Sequence, residues 1–355
     1  MYTALIQESI DLLKRLIAIP SFSREEKEAT DLLEQYIEER GYIVARKGNN
    51  LWMMSPGFDT SRPTLLLNSH IDTVKPVDGW TRDPFTPIIE SGKLYGLGSN
   101  DAGASLVSLL HVFFFLTQHQ QHYNLLFAAS AEEEISGKNG IESLLTELPR
   151  VDFAIVGEPT LMNMAVAEKG LMVLDCTVKG VAGHAARNEG ENAIYKAVEA
   201  INWFRDYKFS KKSELLGEVK MSVTQINAGT QHNVVPDKCT FVVDVRSNEC
   251  YSNEELLQFV KENAPCHVEA RSTRLSSTAT PYNHSIVQRG KELSCAIFGS
   301  QTLSDQALIP FPSLKMGIGD SARSHTADEY IVLEEIEKGI ELYIKLLDGM
   351  ELLSC

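Results

Sequence analysis

Short apolar strands alternate with helices through the first half of the chain, and this alternation limits the fold more than any other feature. Strands are expected at 64–69, 124–130 and 152–156, and the continuous apolar run Leu65 to Leu67 suits a strand buried on both faces. Helical periodicity marks the segments around them, at 5–17, 24–40, 102–118 and 139–148. This order predicts an α/β domain with a doubly wound, mostly parallel sheet and helices on both faces.

The pattern changes near Gly170 to one typical of a second, smaller domain. Strands and helices are expected in the order β-α-β-β-α-β, at 171–179, 191–206, 219–226, 239–246, 253–263 and 267–275. That order is the ferredoxin-like α+β arrangement. The last segment, with helices at 284–298 and 332–347 and one strand near 313–317, is too small to form its own core. We therefore predict a larger domain, 1–170 with 279–355, interrupted by an inserted domain at 171–278.

The charge and the cysteine content argue against several classes of protein. The chain carries 33 Lys and Arg residues against 48 Asp and Glu residues, a formal net charge of −15. An acidic chain without a basic stripe is a poor candidate for binding nucleic acid or an anionic membrane. The most apolar run, 112–116, is far shorter than the roughly 20 residues of a membrane span. None of the six cysteines forms a C-x-x-C pair, so we expect reduced thiols in a cytoplasmic protein.

Histidines and acidic residues follow the predicted strands at the points where these end. They are His70 and Asp72 after 64–69, Glu132, Glu133 and Glu134 after 124–130, Glu158 after 152–156, and His325 after 313–317, with Asp101 just before the helix at 102. Ligands bind open α/β sheets at the carboxyl ends of the strands. Three adjacent glutamates alone are more often a solvated loop. Together with two histidines, however, this mixture of nitrogen and oxygen donors suits zinc or cobalt, with one ion or two.

His70 and Asp72 form a pair of their own within this set. They are two residues apart, so in extended backbone their side chains point the same way. A carboxylate beside an imidazole can select its tautomer and orient it as a metal ligand. We therefore expect Asp72 to orient His70.

Nine short motifs run through the chain in a defined order. They are SHIDTV at 69–74, WxxDPF at 80–85, LYGLGSND at 94–101, AEEE at 131–134, VGEPT at 156–160, GHAA at 183–186, HNVVP at 232–236, DVR at 244–246 and SHTADEY at 324–330. With these motifs the chain resembles the metallopeptidase M20 family, from about residue 8 to residue 347. That family includes acetylornithine deacetylase, succinyl-diaminopimelate desuccinylase, aminoacylase and carboxypeptidase G2, and the first of these is the most similar.

The resemblance implies a centre of two divalent metal ions, with zinc expected and cobalt as the alternative. His70 and Glu158 would hold one ion, while Glu134 and His325 would hold the other. Asp101 would bridge the two. Two cations held together in this way can activate a water molecule and polarise a scissile carbonyl group.

The resemblance also implies roles for residues that do not bind metal. Glu133 would be the general base, and Asp72 the partner that orients His70. His184, in the inserted dimerisation or lid domain, would support the oxyanion in the active site of the partner subunit of a homodimer. Asn233 would contact the substrate, and Arg246 would bind the substrate carboxylate.

The chain departs from the family pattern beside the bridging aspartate. A lysine usually stands two positions after this aspartate, followed by glycine, but residues 101–104 read Asp-Ala-Gly-Ala. Leu97 stands where arginine is common. All five expected ligands and the base are present, so we expect an active enzyme.

The favoured function is deacylation of a small N-acyl amino acid, most similar to N-acetyl-L-ornithine or N-acyl-citrulline deacylation in arginine biosynthesis. The alternatives are a succinyl-diaminopimelate desuccinylase, an aminoacylase or a metallo-dipeptidase. A dimeric metal-binding scaffold without activity is a further alternative, although it would not need the base Glu133. The acyl group, acetyl or succinyl, is left open.

Overall fold

The computed structural model describes residues 2–187 and 189–352, which divide into two compact units. Unit 1 contains the described residues of 1–166, 279–298 and 304–355, and unit 2 contains 167–278 and 299–303. The strands are β1 Ala45–Lys47, β2 Asn50–Met54, β3 Thr64–His70, β4 Ile88–Glu90, β5 Lys93–Tyr95, β6 Asn124–Ser130, β7 Phe153–Val156, β8 Met164–Glu168, β9 Gly170–Lys179, β10 Gly183–His184, β11 Lys220–Ala228, β12 Val234–Val235, β13 Lys238–Ser247, β14 His267–Ala270, β15 Thr278–Ala279, β16 Ile297–Ser300, β17 Ser313–Lys315 and β18 Tyr330–Val332. The helices are α1 Thr3–Ile17, α2 Lys27–Glu38, α3 Ala104–Thr117, α4 Ile141–Leu144, α5 Ala193–Asp206, α6 Asn253–Asn263, α7 Ser285–Glu292 and α8 Leu333–Leu347.

A nine-stranded sheet forms the centre of unit 1. Its order is β1-β2-β6-β3-β7-β17-β8-β15, with β16 paired to β8. The four central strands, β6, β3, β7 and β17, run parallel, while β2 pairs antiparallel with β1 and β6, and β8 pairs antiparallel with β17. Every residue of β3 and β6 is buried, as continuous apolar runs predict for strands covered on both faces. The predicted α/β class with a mostly parallel central sheet is confirmed.

Helix α3 is the central helix on one face of this sheet. It packs against β3 and β6 below and against α1 and α8 beside it, and nearly all of its residues are buried. By length and composition, Ser99–Thr117 is a helix that could cross a membrane, although 78% of its apolar window lies buried inside the structure. Its apolar surface is therefore accounted for by packing within unit 1.

His111 is a histidine of this core. Its ring nitrogens contact the Tyr36 hydroxyl at 2.8 Å and the Val107 carbonyl oxygen at 2.7 Å, within the body of α3. Burial lowers the pKa of His111 from 6.5 to about 4. Folding thus favours the neutral imidazole, because the buried cation would lose its hydration.

We expect this buried histidine to make folding depend on pH. The unfolded side chain binds a proton below its pKa of 6.5 and the folded one only below about 4. The unfolding free energy therefore includes a contribution of about 3 kcal/mol from the neutral His111. This contribution is fully present above pH 6.5 and is lost as the pH falls to 4. Urea unfolding of wild type and His111→Gln at pH 7, 5.5 and 4 isolates it, since the other groups titrate in both proteins. Parallel pH profiles of the two proteins would contradict the expectation.

Unit 2 contains a four-stranded antiparallel sheet in the order β11-β13-β9-β14. The chain passes through it as β9, α5, β11, β13, α6 and β14, which is the predicted ferredoxin-like order. Alternate residues of β9 and β13 are buried, and with α5 and α6 they form one apolar core that includes Leu174, Phe204 and Phe241.

Three predicted elements differ from the structure. The helix expected at 139–148 is the single turn α4, because Gly140 before it has non-helical backbone angles (φ −80°, ψ −138°) and Pro149 disfavours helical backbone at Leu148. The helix expected at 284–298 ends at Glu292, and β16 follows it by pairing with β8. The strand expected at 267–275 ends at Ala270. The final segment also contributes β16 and β18, so it holds more than the single strand predicted.

Candidate metal centre

The carboxyl ends of neighbouring parallel strands bring the predicted ligands of unit 1 together. His70 is the last residue of β3, the turn Glu133–Ile135 follows β6, and Glu158 comes two residues after β7. Since β6, β3 and β7 are adjacent and parallel, these ends lie at one edge of the sheet. Asp101 enters from the turn Ser99–Gly103 before α3, with a cis peptide bond to Ala102.

A first group of three possible metal ligands surrounds the imidazole of His70. Its Nε2 atom lies 3.4 Å from Asp101 Oδ1 and 3.7 Å from Glu158 Oε1. One ligand atom from each of the three residues lies within 4.8 Å of the others. Among the described residues, His70 Nε2 is buried and has no hydrogen-bond partner. A buried nitrogen aimed at two carboxylates fits a divalent cation that accepts imidazole and oxygen ligands.

A second group shares Asp101 with the first. His325 Nε2 lies 3.6 Å from Asp101 Oδ2 and 3.0 Å from Glu134 Oε2. These three residues also offer ligand atoms within 4.8 Å of one another. One oxygen of Asp101 therefore faces His70 and the other faces His325. This is the arrangement that a bridging carboxylate between two ions requires.

The hydrogen bonds of Asp72 divide its role in two. His70 Nδ1 donates to the backbone oxygen of Asp72 at 2.8 Å, and the carboxylate lies 3.6 Å from the same nitrogen. The carboxylate instead accepts the backbone N–H groups of Glu133, at 3.0 Å, and Glu134, at 3.1 Å, and the hydroxyl of Ser23 at 2.7 Å. Asp72 thus orients His70 through its main chain and holds the Glu133–Glu134 turn through its side chain.

Glu133 is adjacent to the candidate ligand Glu134. Among the described residues, it belongs to neither of the two groups of possible metal ligands. Burial, with the negative charge of Glu158 adding to it, raises the pKa of Glu133 well above its usual value. Cations bound beside it would oppose this shift. A carboxyl group left free of metal and poised in this way can accept and return a proton.

Negative charge dominates the surroundings of the two groups. Burial raises the pKa of Glu158 to about 8, and Asp101 adds to the shift while His70 opposes it. The hydrogen bond to Glu134 raises the pKa of His325 to about 9, despite partial burial. Carboxylates crowded in a partly dry site are costly unless positive charge offsets them, so the site favours cation binding.

Glu329 is a positioning residue that the sequence analysis did not single out. Its buried carboxylate accepts the backbone N–H groups of Gly98, Asn100 and Asp101, at 3.2, 2.8 and 3.0 Å. It therefore joins the turn that carries Asp101 to the segment that carries His325. Its place in the SHTADEY motif, four residues after His325, was the available signal.

The other three candidates lie in unit 2. His184 is exposed on β10, which pairs with β12 so that His184 faces Val234, and Asn233 accepts the backbone N–H of Ala185 at 3.0 Å through its own main-chain oxygen. His184 and Asn233 thus occupy one small ribbon. Arg246 donates from Nε and Nη2 to Asp244, at 2.9 and 3.1 Å, on the sheet face opposite the helices.

The glycine that replaces the usual lysine lies in a tight place. A Cβ at Gly103 would overlap the Gly98 carbonyl oxygen and come within 2.7 Å of Leu13 Cδ1. Leu97 is buried and lines the same small cavity as Leu13 and Gly103, so apolar side chains surround this side of the Asp101 turn. The local packing therefore leaves no room for the lysine that is usual in the family at this position.

We expect Gly103→Lys to destabilise the protein, even though it restores the family residue. The new Cβ must displace backbone or Leu13, at a cost of about 1–3 kcal/mol in unfolding free energy. Gly103→Ala, which adds the Cβ without the charge, should show most of the same loss in urea unfolding. Equal or greater stability of Gly103→Ala would contradict the steric explanation.

Comparison with known proteins gives one family and one fold. Residues 66–349 match the family described as Peptidase family M20/M25/M40. Aminopeptidase PepT from Bacillus cereus has a TM-score of 0.78 at 19% identity, with 97% of this chain and 98% of that chain covered. A tripeptidase from Staphylococcus aureus has a TM-score of 0.77 at 21% identity, with 97% of this chain and 98% of that chain covered. A dinuclear metal-binding peptidase of the M20 family from Bacillus subtilis has a TM-score of 0.73 at 16% identity, with 97% of this chain and 98% of that chain covered.

Proposed function

This chain belongs to peptidase family M20/M25/M40, as its motifs predicted, and we propose that it hydrolyses the amide bond of a small N-acyl amino acid. Members of this family are metal-dependent hydrolases of amide bonds, and their centres hold two metals. The observation that carries the proposal is the Asp101 carboxylate, whose two oxygens face two separate ligand groups. Glu133 stands beside them as the proton acceptor.

The donor set indicates how two cations would be held. His70 and Glu158 would bind one, Glu134 and His325 the other, and Asp101 both. Imidazole and carboxylate ligands suit zinc first and cobalt as the alternative. When bound, the cations supply Lewis acidity to the scissile carbonyl and increase the acidity of the attacking water.

The protein residues supply the proton transfers and the orientation. Asp72 holds the Glu133–Glu134 turn by two backbone hydrogen bonds, so the carboxylate of Glu133 is kept apart from its ligating neighbour. Glu133 takes a proton from the attacking water and returns it to the nitrogen of the leaving amine. His184 would donate to the developing oxyanion, for which a fixed donor is worth several kcal/mol.

The favoured substrates are N-acetyl-L-ornithine and N-acyl-citrulline, which would place the enzyme in arginine biosynthesis. The support is the resemblance of GDSARSHTADEY at 319–330 to deacylases of basic amino acids. Arg246 would bind the substrate carboxylate, with Asp244 fixing its guanidinium group. A planar guanidinium suits a carboxylate because two parallel hydrogen bonds can form.

Short peptides are the second candidate class of substrate. Two solved structures with this fold are an aminopeptidase and a tripeptidase. A dipeptide shares the scissile amide and the carboxylate with an N-acyl amino acid, but it adds a charged amino group on the acyl side. The test is kcat/KM of the zinc-loaded enzyme on N-acetyl and N-succinyl derivatives of ornithine, citrulline, lysine and diaminopimelate, beside di- and tripeptides. Hydrolysis of the acyl amino acids alone supports the proposal, and hydrolysis of peptides alone overturns it.

We propose a homodimer formed through unit 2. Tyr195 and Val198 on α5 and Ile226 on β11 are 74%, 49% and 57% exposed. β11 is an edge strand of its sheet, so its free edge and these apolar side chains suit a symmetric contact with a second copy. In that dimer His184 would complete the active site of the partner.

Mixing two inactive variants should restore activity if His184 acts across the dimer. Subunit exchange between His184→Ala and Glu133→Gln yields mixed dimers with one site that has both wild-type residues. We expect up to about one quarter of wild-type activity in an equal mixture, since half of the dimers are mixed and each has one intact site. Mixed dimers that stay inactive, or an active monomer in sedimentation, would contradict this assembly.

The cytoplasm is the proposed location. The five cysteines of the described part of the chain are free, in keeping with a reducing compartment.

A further inference from the structure

A buried carboxylate that the proposed chemistry does not use lies among the strands that carry the metal ligands. Asp305 is 3% exposed and begins the short turn Asp305–Leu308. Its Oδ2 atom accepts from Ser130 Oγ at 2.5 Å and from Asn68 Nδ2 at 3.0 Å. A buried charge is costly, so its retention calls for a function or for strong compensation.

The hydrogen-bond partners of Asp305 place it on the face of the sheet to which the His70 side chain points. Asn68 and His70 are two residues apart on β3, so their side chains point to the same face. Ser130, the last residue of β6, pairs directly with His70. Asp305 therefore joins the ends of the two strands that deliver His70 and the Glu133–Glu134 turn.

The turn that carries Asp305 is itself held in place. Ser304 caps it by accepting the backbone N–H of Gln306 at 3.3 Å, and Gln306 Nε2 donates to the Ser313 carbonyl oxygen on β17 at 2.9 Å. Asp305 is thus a fixed negative charge rather than a side chain free to move. Burial raises its pKa to about 6, and the hydrogen bonds from Ser130 and Asn68 oppose the shift, so it is largely ionised at neutral pH.

We infer that Asp305 is a positioning residue for the metal centre. It sets the relative position of the ends of β3 and β6 through Asn68 and Ser130, and its negative charge favours cations at the adjacent ligands. Groups one step removed from metal ligands commonly change metal affinity by about 10–100-fold when they are replaced. This inference rests on the proposed metallohydrolase function.

The test compares two buried carboxylates at opposite ends of β3. Asp305→Asn keeps the shape and removes the charge. The matched control is Asp152→Asn, because Asp152 is also buried and accepts the backbone N–H of Thr64, the first residue of β3, at 2.9 Å. The readouts are Zn²⁺ affinity by chelator competition, the visible d–d spectrum of the Co²⁺-loaded protein, and the melting temperature.

We expect Asp305→Asn to bind Zn²⁺ about 10–100-fold more weakly and to shift the Co²⁺ bands. Asp152→Asn should lower the melting temperature and leave affinity and spectrum unchanged. Ser130→Ala, which removes one hydrogen bond and keeps the charge, should show a smaller loss in the same direction and covers the case in which Asp305→Asn does not fold.

Wild-type affinity and spectrum in Asp305→Asn would overturn the inference, as would an equal loss in Asp152→Asn. In the case of an unfolded Asp305→Asn, unchanged affinity and spectrum in Ser130→Ala would overturn it too. Failure of the proposed hydrolysis is a different result: wild-type protein that binds both ions and cleaves none of the substrates. The affinity comparison holds in that case, because none of its readouts depends on turnover.

Discussion

Glu133→Gln is expected to keep the fold and the bound metals while hydrolysis falls by at least ~10²-fold. The amide has the shape of the carboxylate but cannot accept the proton of the attacking water. Its backbone N–H still donates to Asp72, so the turn and the ligand Glu134 should remain in place. Metal analysis and kcat on the best substrate are the two measurements.

Glu132→Gln is the matched control for this variant. Glu132 precedes Glu133 and is buried, and its carboxylate accepts a hydrogen bond from Asn139 Nδ2 at 3.0 Å. Among the described residues, it belongs to neither of the two groups of possible metal ligands. Glutamine can accept the same hydrogen bond, so we expect kcat near that of wild type. Near-normal turnover in Glu133→Gln would assign the base to another residue.

Asp101→Ala is expected to remove most of the metal from both positions and with it nearly all activity. Each oxygen of Asp101 serves a different group, so its loss exposes both ions to repulsion and deprives each of a ligand. His325→Ala affects one group alone and should release mainly one equivalent. Elemental analysis after dialysis measures both.

His119→Ala is the control for this series, because His119 is an exposed histidine just after α3 that contacts the Phe115 carbonyl oxygen. It should retain the full metal content of wild type. Full occupancy in both Asp101→Ala and His325→Ala would show that the ions are held elsewhere.

The parts of the fold that depend on local pattern could be predicted from the sequence. The sequence predicts β3 and β6 to within one residue, since each contains a continuous apolar run flanked by polar residues. The order of elements in unit 2 followed in the same way from alternation and helical periodicity. β16 escaped prediction because its first residues continue the helical pattern expected at 284–298, and β18 because it is three residues long and directly precedes α8.

The site residues likewise differ in whether a local sequence pattern reveals them. His70, Glu134 and Glu158 could be found because each lies at the end of a recognisable strand or within four residues of it, and Asp101 and His325 because they belong to ordered motifs. Asp305 could not be assigned a role, and the only signal for Glu329 was its place in the SHTADEY motif, because the partners of both residues lie far along the chain. Asn68 is 237 residues from Asp305, and Asp101 is 228 residues from Glu329. Such contacts become visible only when the sheet is assembled.

The most direct test of the two-metal centre is anomalous diffraction at the zinc edge from crystals of the zinc-loaded protein. We expect two peaks about 3.5–4 Å apart, the spacing of two-metal hydrolytic sites. One should contact His70 and Glu158, the other Glu134 and His325, and both should contact Asp101. A single peak, or a pair of peaks that do not share Asp101, would contradict the account.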